Sequence, residues 1–169
     1  RPLLQVVAYL KTTIMANWCS NVVWFEANEA TIKEIKNIFL QMAEREKETK
    51  CGQLPTFIKE DRDWFFDIRW EEEDVLYYET RWCPNIEVMQ KIAEHFGVGF
   101  TMEYEETGCL VYGKATFTEG ILIDSYLACD DFQAYRYNEE TDTYHFEGET
   151  YESDCKILEI LLERKTALL

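Results

Sequence analysis

The order of strand and helix patterns limits what this chain can fold into more than any other feature of its sequence. Residues 21–27 form an apolar, β-branched run of strand length. An amphipathic helix follows, with capping-box spacing at Thr31 and Glu34 and a charged tail that ends near Lys50. After a loop over residues 51–62, a hairpin, a second helix and another hairpin complete the order.

The register of the first hairpin can be predicted from its side chains. Residues 64–70 and 76–82 are joined by an acidic turn, and opposing Trp70 with Leu76 places the large apolar side chains together on one face. The other, outer face then carries Phe65, Asp67, Arg69, Tyr77, Glu79 and Arg81. We expect this outer face to be a solvated ladder of charges, with a ligand-reading patch as the alternative.

The second helix opens at Pro84 and stops at Gly97, a typical C-terminal cap. The resulting order is strand, helix, strand, strand, helix, strand, followed by one more strand. This order predicts an α+β fold, a ferredoxin-like β-α-β-β-α-β antiparallel sheet with an added strand and a C-terminal hairpin plus helix. One face of such a sheet stays open unless another segment covers it.

Three regions are predicted along the chain. Residues 15–120 form the ferredoxin-like domain, and residues 121–169 form an acidic C-terminal hairpin and helix packed on the same body. Residues 1–14 are expected to be an N-terminal extension that precedes a natural start at Met15. The apolar run of this extension spans about eight residues, which is too short to cross a bilayer.

The charge balance is strongly acidic, with 33 acidic and 17 basic residues and a formal net charge of −16. The ratio of acidic to basic residues is highest in residues 121–169, which contain twelve acidic and four basic residues. A negative field repels nucleic-acid backbones and anionic membrane surfaces, and it suits a basic protein partner, a cation or simple solubility. We therefore expect a cytoplasmic protein with neither nucleic acid nor membrane among its partners.

No constellation of catalytic or metal-binding residues stands out in the sequence. His95 and His145 lack a nucleophile in motif spacing, phosphate-binding glycine loops are absent, and the six cysteines match no zinc-finger pattern. The cysteines are expected to be reduced and mostly buried, and we predict neither a cofactor nor a metal site. The acidic cluster of Glu103, Glu105 and Glu106 is expected to be solvated. An enzyme is therefore the less favoured class.

Three short motifs stand out together by their order and spacing. Residues 15–21 read Met-Ala-Asn-Trp-Cys-Ser-Asn, residues 80–85 read Thr-Arg-Trp-Cys-Pro-Asn, and residues 104–113 follow the pattern Tyr-x-Glu-x-Gly-x-x-Val-x-Gly. Across residues 15–120 the chain resembles the YubB-like or Api-like family of phage, plasmid and other mobile-element proteins, which have a ferredoxin-like domain. It departs from the family pattern at Asn85, where a second Pro is frequent. The resemblance implies the fold and no established activity.

The motifs allow a functional and a structural interpretation. In the functional one, a shared binding pocket at one end of the sheet is surrounded by Trp18, Asn21, Trp82, Asn85 and Glu106. In the structural one, Trp18 and Trp82 are core anchors beside turns, and Gly108 supplies a positive φ angle in the last hairpin.

The leading functional hypothesis is an intracellular accessory protein of mobile-element type that binds a basic protein partner through its acidic surface. The alternative is a small-ligand binder or an enzyme that uses the pocket near Trp18, Trp82 and Glu106. A weaker alternative is RNA binding on the open sheet face, which requires Phe65 and Tyr77 to be exposed there.

Overall fold

The computed structural model describes residues 17–169, so the predicted extension of residues 1–14 and the start at Met15 lie outside the described residues. In chain order the elements are β1 (Trp18–Glu26), α1 (Glu29–Thr49), β2 (Phe66–Glu71), β3 (Val75–Arg81), α2 (Ile86–Phe96), β4 (Gly99–Glu106), β5 (Val111–Thr118), β6 (Ile121–Tyr126), α3 (Cys129–Phe132), β7 (Arg136–Asn138), β8 (Thr143–Phe146), β9 (Glu149–Tyr151) and α4 (Cys155–Thr166). None of the helices in this part of the chain is long and apolar enough to cross a membrane.

Six antiparallel strands form the main sheet, in the spatial order β2-β3-β1-β4-β5-β6. The first four strands together with α1 and α2 follow the predicted β-α-β-β-α-β order, which confirms the α+β, ferredoxin-like fold. β5 is the predicted added strand. β6 was not predicted; it follows a two-residue turn in which Glu119 and Gly120 have φ angles of 53° and 80°.

Helices α1 and α2 pack on one face of this sheet and enclose the main hydrophobic core. The predicted apolar stripe of α1 is buried in that core at Ile35, Phe39 and Met42. The helix begins at Glu29, because the side-chain oxygen of Asn28 accepts a hydrogen bond from the backbone N–H of Thr31 at 2.9 Å. Asn28 is therefore the N-cap, and the predicted capping role of Thr31 is wrong.

A shift of register within β2 changes the face that Phe65 occupies. Trp70 opposes Leu76 as predicted, but further along the strand Phe66 opposes Glu79 instead of the expected Thr80. Phe65 is consequently buried in the core, and its predicted place on the outer face is wrong. Phe66 takes that outer position in its stead, since neighbouring residues of a strand point to opposite faces.

A side chain of α1 binds the backbone of this β-bulge. The Glu46 carboxylate accepts hydrogen bonds from the backbone N–H groups of Asp67 at 2.7 Å and of Ile68 at 3.3 Å. These bonds satisfy two donors that the strand ladder leaves free at the bulge, and Asp67 takes a left-handed conformation with φ 46°.

The C-terminal part forms a second, smaller unit beside the sheet. β7, β8 and β9 make a three-stranded antiparallel sheet, of which β9 was not predicted. Its buried apolar side chains include Phe146, and α4 buries Ile157 and Leu158. Arg164 of α4 donates two hydrogen bonds, of 2.6 and 2.8 Å, to the carboxylate of Glu147, which ties the helix to the turn between β8 and β9.

Candidate functional site

Two of the five residues predicted to bind lie in a buried polar network on the helix-covered face of the sheet. The Asn21 side chain donates hydrogen bonds to a backbone carbonyl of β1 at 2.9 Å and to Thr80 Oγ1 at 3.0 Å. Asn85 accepts a hydrogen bond from the Tyr78 hydroxyl at 2.7 Å and donates one to the Asp63 carbonyl at 3.0 Å. These internal partners occupy both amide groups, so the network ties the start of α2 to β3.

The two Trp residues of the predicted site lie at the surface. Trp18 is 38% exposed and Trp82 is 46% exposed, so the interpretation of both as core anchors is wrong. Trp82 leaves β3 in a left-handed conformation with φ 69°, and its backbone N–H donates to the Asn17 carbonyl at 2.9 Å. Trp18 meets Phe66 edge to face at 4.9 Å. Because Trp18 and Asn21 are three residues apart on β1, they point to opposite faces of the sheet.

Glu106, the fifth predicted residue, ends β4 opposite Val111 and is half-buried. In the turn that follows, the positive φ angle of 57° falls on Leu110, while Gly108 lies in a right-handed 3₁₀ turn over residues 107–109. The predicted positive φ angle of Gly108 is therefore wrong. The five residues lie on both faces of the sheet, and their shared role in binding stays a prediction.

A cleft of about 830 Å³ lies between α4 and the face of the main sheet that α1 and α2 leave uncovered. β1, β4 and β5 form one wall, where Val22 and Tyr112 supply apolar surface, and α4 forms the opposite wall with Leu162. The C-terminal segment therefore lies over β4, β5 and β6 on the open face. The cleft is the space that remains between this segment and the strands.

Four carboxylates line this cleft, which we call the acidic cleft. Glu103 and Glu105 occupy alternate positions of β4 and so share one face, while Glu159 and Glu163 are one helical turn apart on α4. The basic side chain in the described lining is Lys114, whose ammonium lies 3.5 Å from a Glu103 carboxylate oxygen. On the opposite wall the ammonium of Lys156 lies 3.0 Å from a Glu159 carboxylate oxygen. Both walls of the cleft therefore carry negative charge that Lys114 and Lys156 offset only in part.

The Tyr112 hydroxyl is subject to this negative potential. Burial, followed by the charges of Glu159, Glu105 and Glu103, raises the pKa of Tyr112 to about 12. Burial disfavours the phenolate because it removes water, and the carboxylates disfavour it by repulsion. The same carboxylates would attract an ammonium or guanidinium group that entered the cleft.

The acidic cleft opens sideways onto the part of the sheet face formed by β1, β3 and β2. There the side chains of Trp18, Trp24, Phe66 and Tyr77 form what we call the open strip. Val22 joins the two regions, since it opposes Tyr77 of the strip on one side and Glu103 of the cleft on the other. The acidic cleft and the open strip are therefore one continuous surface.

Two arginines cover aromatic rings of the open strip. The guanidinium of Arg81 lies 5.1 Å from the ring centre of Phe66 and 5.9 Å from that of Trp18. The guanidinium of Arg69 lies 5.6 Å from the ring centre of Tyr77. Contacts of this kind hold both arginines along the sheet while their charged ends stay in water.

Sequence reasoning identified part of this surface and missed the rest. Glu103 and Glu105 were recognised as an acidic cluster and expected to be solvated; both are exposed, and they also lie on one wall of the cleft. Glu159 and Glu163 were not singled out, although their spacing places them on one side of the last helix. Which part of the sheet that helix covers is a matter of tertiary packing, for which the sequence carried no signal.

Within residues 17–169 no group of three or more His, Cys, Asp and Glu side chains is arranged to hold a metal ion. The cysteines differ from expectation in their burial. Cys19 is buried, Cys109 is half-buried, and the exposed ones are Cys51, Cys83, Cys129 and Cys155. The prediction that the thiols are mostly buried is therefore wrong.

Cys19 is expected to resist alkylation in the native protein. Burial raises the pKa of its thiol to about 12, so the reactive thiolate is scarce at pH 8, and the side chain has no exposed surface. With iodoacetamide at pH 8, peptide mass spectrometry should show Cys129 and Cys155 modified well before Cys19. Modification of Cys19 at the rate of the exposed thiols would contradict the structure, and addition of urea should abolish the difference.

Comparison with known proteins agrees with the fold. Residues 65–147 match a family model described as a ferredoxin-like domain in Api92-like protein. This stretch is similar to the Api-like domain. The match runs from the end of the loop before β2 to the residue after β8, so it extends beyond residue 120 into the C-terminal segment. No curated protein and no solved structure was found to match the chain.

Proposed function

We propose that the protein acts by binding a basic protein partner, which it holds in the acidic cleft. The observation that supports this most directly is the placement of four carboxylates on two facing walls, where apolar side chains accompany them and Lys114 and Lys156 each pair with one of them. An accessory role of the mobile-element type, inside the cell, is part of the same proposal and draws on the similarity to Api-like proteins.

The geometry of the walls suits a chain segment with several basic side chains. Glu159 and Glu163 are about 6 Å apart along α4, as side chains at positions i and i+4 of a helix are. Glu103 and Glu105 are about 7 Å apart along β4, the repeat of two residues in a strand. Two pairs of carboxylates at this spacing can each receive a lysine or arginine of the same segment.

The chemistry of the lining favours a cation with an apolar stem. Lysine and arginine carry methylene groups that can pack on Val22, Tyr112 and Leu162 while the charged end reaches a carboxylate. An anion would meet repulsion from both walls. RNA is less favoured for this reason, although Phe66 takes the outer place that was predicted for Phe65 and Tyr77 lies on the open face.

A macromolecular segment also fits better than a small ligand. The cleft is open along β1, where it continues into the open strip, so it does not enclose a ligand on all sides. Sites for small molecules bury most of the ligand surface. A segment that enters the cleft from the open strip can instead continue along the sheet.

Replacing Glu159 and Glu163 together with glutamine is expected to weaken the binding of fluorescein-labelled deca-lysine about tenfold at low salt, because each exposed ion pair contributes up to about 1 kcal/mol. Fluorescence anisotropy measures the dissociation constant. The substitution keeps the size of both side chains and both lie on α4, where glutamine is a good helix former.

The matched control is Glu139→Gln with Glu140→Gln. These two acidic residues lie in the exposed turn between β7 and β8, outside the described lining of the cleft. Their replacement makes the same change in net charge and should weaken binding less than twofold. If both pairs of substitutions weaken binding equally, the attraction comes from net charge alone and the acidic cleft is not the binding site.

A further inference from the structure

We propose that the open strip is the docking site for an amphipathic α-helix of that partner, which lies beside α4 and turns its basic side chains toward the acidic cleft. This inference rests on the proposed function and specifies the form of the segment that binds. The argument has three parts: the width of the uncovered surface, its apolar side chains and the charges at its borders.

The width of the uncovered surface matches one helix. α4 faces β4 and β5 across the cleft, and it packs on the sheet mainly at β6. On the same face β1, β3 and β2 remain, and neighbouring strands are about 4.8 Å apart, so their axes span about 10 Å. A helix with its side chains is about 10 Å in diameter. A second helix parallel or antiparallel to α4 would complete the layer that α4 begins.

The side chains of the open strip are those of an interface. Trp24 is 37% exposed and Trp18 is 38% exposed, and Phe66 and Tyr77 lie half-buried on the strands beside them. Aromatic side chains are enriched in the buried centres of protein interfaces and carry much of the binding energy there. The exposed ring of Trp24, and the part of the Trp18 ring that Arg81 leaves exposed, are apolar surface that a partner's leucine or methionine side chains would cover.

The borders of the open strip are acidic on both sides. Glu103 and Glu105 stand where the strip meets the cleft, and Asp67 and Glu71 lie on β2 at the other side, where both also bind Arg69. Within the strip, burial, followed by the charge of Asp67, raises the pKa of Glu79, while the nearby Arg69 acts in the opposite direction. This arrangement is complementary to a helix with one apolar stripe flanked by lysine or arginine.

An 18-residue peptide of leucine and lysine, arranged so that the leucines form one stripe of a helix, is the probe for this inference. A scrambled peptide of the same composition and deca-lysine are the comparisons. By anisotropy with fluorescein-labelled peptides, we expect the amphipathic peptide to bind at least tenfold more tightly than the scrambled one. Its binding should also shift the tryptophan emission to shorter wavelength and protect it from acrylamide.

Trp24→Thr should weaken the amphipathic peptide about tenfold and leave deca-lysine binding unchanged. Threonine keeps the strand propensity of this surface position, and circular dichroism and the Tm verify the fold. Ile121→Thr is the matched control, since Ile121 is an exposed apolar residue of β6, at the opposite edge of the sheet from β2.

The outcomes separate this inference from the proposed function. If deca-lysine binding depends on Glu159 and Glu163, but the amphipathic peptide has no advantage over the scrambled one, the helix inference is overturned and the proposed function stands. If Trp24→Thr and Ile121→Thr weaken the amphipathic peptide equally, the open strip is not its docking site. If no basic peptide binds at low salt, both the inference and the proposed function are wrong.

Discussion

Replacement of Asn85 by alanine is expected to lower the free energy of unfolding by about 3 kcal/mol. Asn85 is buried, and its side-chain oxygen accepts the hydrogen bond of the fully buried Tyr78 hydroxyl at 2.7 Å. Alanine would leave that hydroxyl with only the distant Met102 sulfur, 3.9 Å away, and would leave the Asp63 carbonyl without its donor. An unsatisfied buried polar group costs about 1–3 kcal/mol, and the vacated volume adds to this.

A double-mutant cycle identifies the cause of the Asn85 effect. In a Tyr78→Phe background the hydroxyl is already absent, so Asn85→Ala should cost about 1–2 kcal/mol less than it does in the wild-type protein. Urea unfolding followed by circular dichroism gives the four free energies. Asn37→Ala, on the exposed side of α1, is the matched control and should change stability by less than about 0.5 kcal/mol. An Asn85→Ala variant as stable as this control would show that the amide does not hold the core, and would favour a binding role for it.

The sequence was sufficient for the main fold because its apolar spacing is clear and mostly local. The spacing of Ile35, Phe39 and Met42 places them on one side of a helix, whatever the tertiary structure around it. All three are buried, as this spacing predicts. The pairing of Trp70 with Leu76 follows from the alternation of large and charged side chains on two adjacent strands. The order of the elements then leaves few topologies open.

The departures from prediction arise where a distant residue decides a local conformation. The bulge that turns Phe65 inward depends on the carboxylate of Glu46, which lies 21 residues before Asp67 in the chain. Nothing in residues 64–70 alone distinguishes the bulged register from the regular one. The contact that Trp18 makes on the sheet face opposite the helices has a similar origin, since its ring meets Phe66, which the bulge brings there.

The candidate site was the least predictable part because it forms between elements distant in sequence. Glu105 and Glu159 are each ordinary surface acids in their own segments, and only the packing of α4 over β4 and β5 brings them to one cleft. The charge count pointed to residues 121–169 as the more acidic part, but it could not place that charge on a surface. Composition gave the sign of the field, and the location required the tertiary structure.

Gly113→Ala is expected to destabilise the protein by about 3 kcal/mol, at the upper end of the usual cost of overpacking a core. The side chain of Tyr104 crosses β5 directly over Gly113 to reach β6, where its hydroxyl donates a hydrogen bond of 2.6 Å to Asp124. A methyl group at position 113 would lie 2.5 Å from Tyr104 Cζ and 2.8 Å from the backbone oxygen of Ser125. The ring and the β6 backbone must both move, and the half-buried hydrogen bond between Tyr104 and Asp124 is lost. Tyr104 and Gly113 occur together in the third motif for a structural reason, because the ring of Tyr104 occupies the space that a side chain at position 113 would need.

The free energy of unfolding of Gly113→Ala, measured by thermal and urea unfolding, should be compared with that of Gly97→Ala. The comparison separates the cost of a steric clash from the cost of backbone strain. Gly97 caps α2 with a φ of 64° and has open space where the methyl group would be placed, so its replacement should cost about 1 kcal/mol through backbone strain alone. Adding Tyr104→Val to Gly113→Ala removes the ring from the clash, and the added cost of the alanine should then fall below that in the wild-type background. An equal cost of Gly113→Ala in both backgrounds would mean that the contact with the Ser125 carbonyl, and not the crossing of Tyr104, requires glycine at this position.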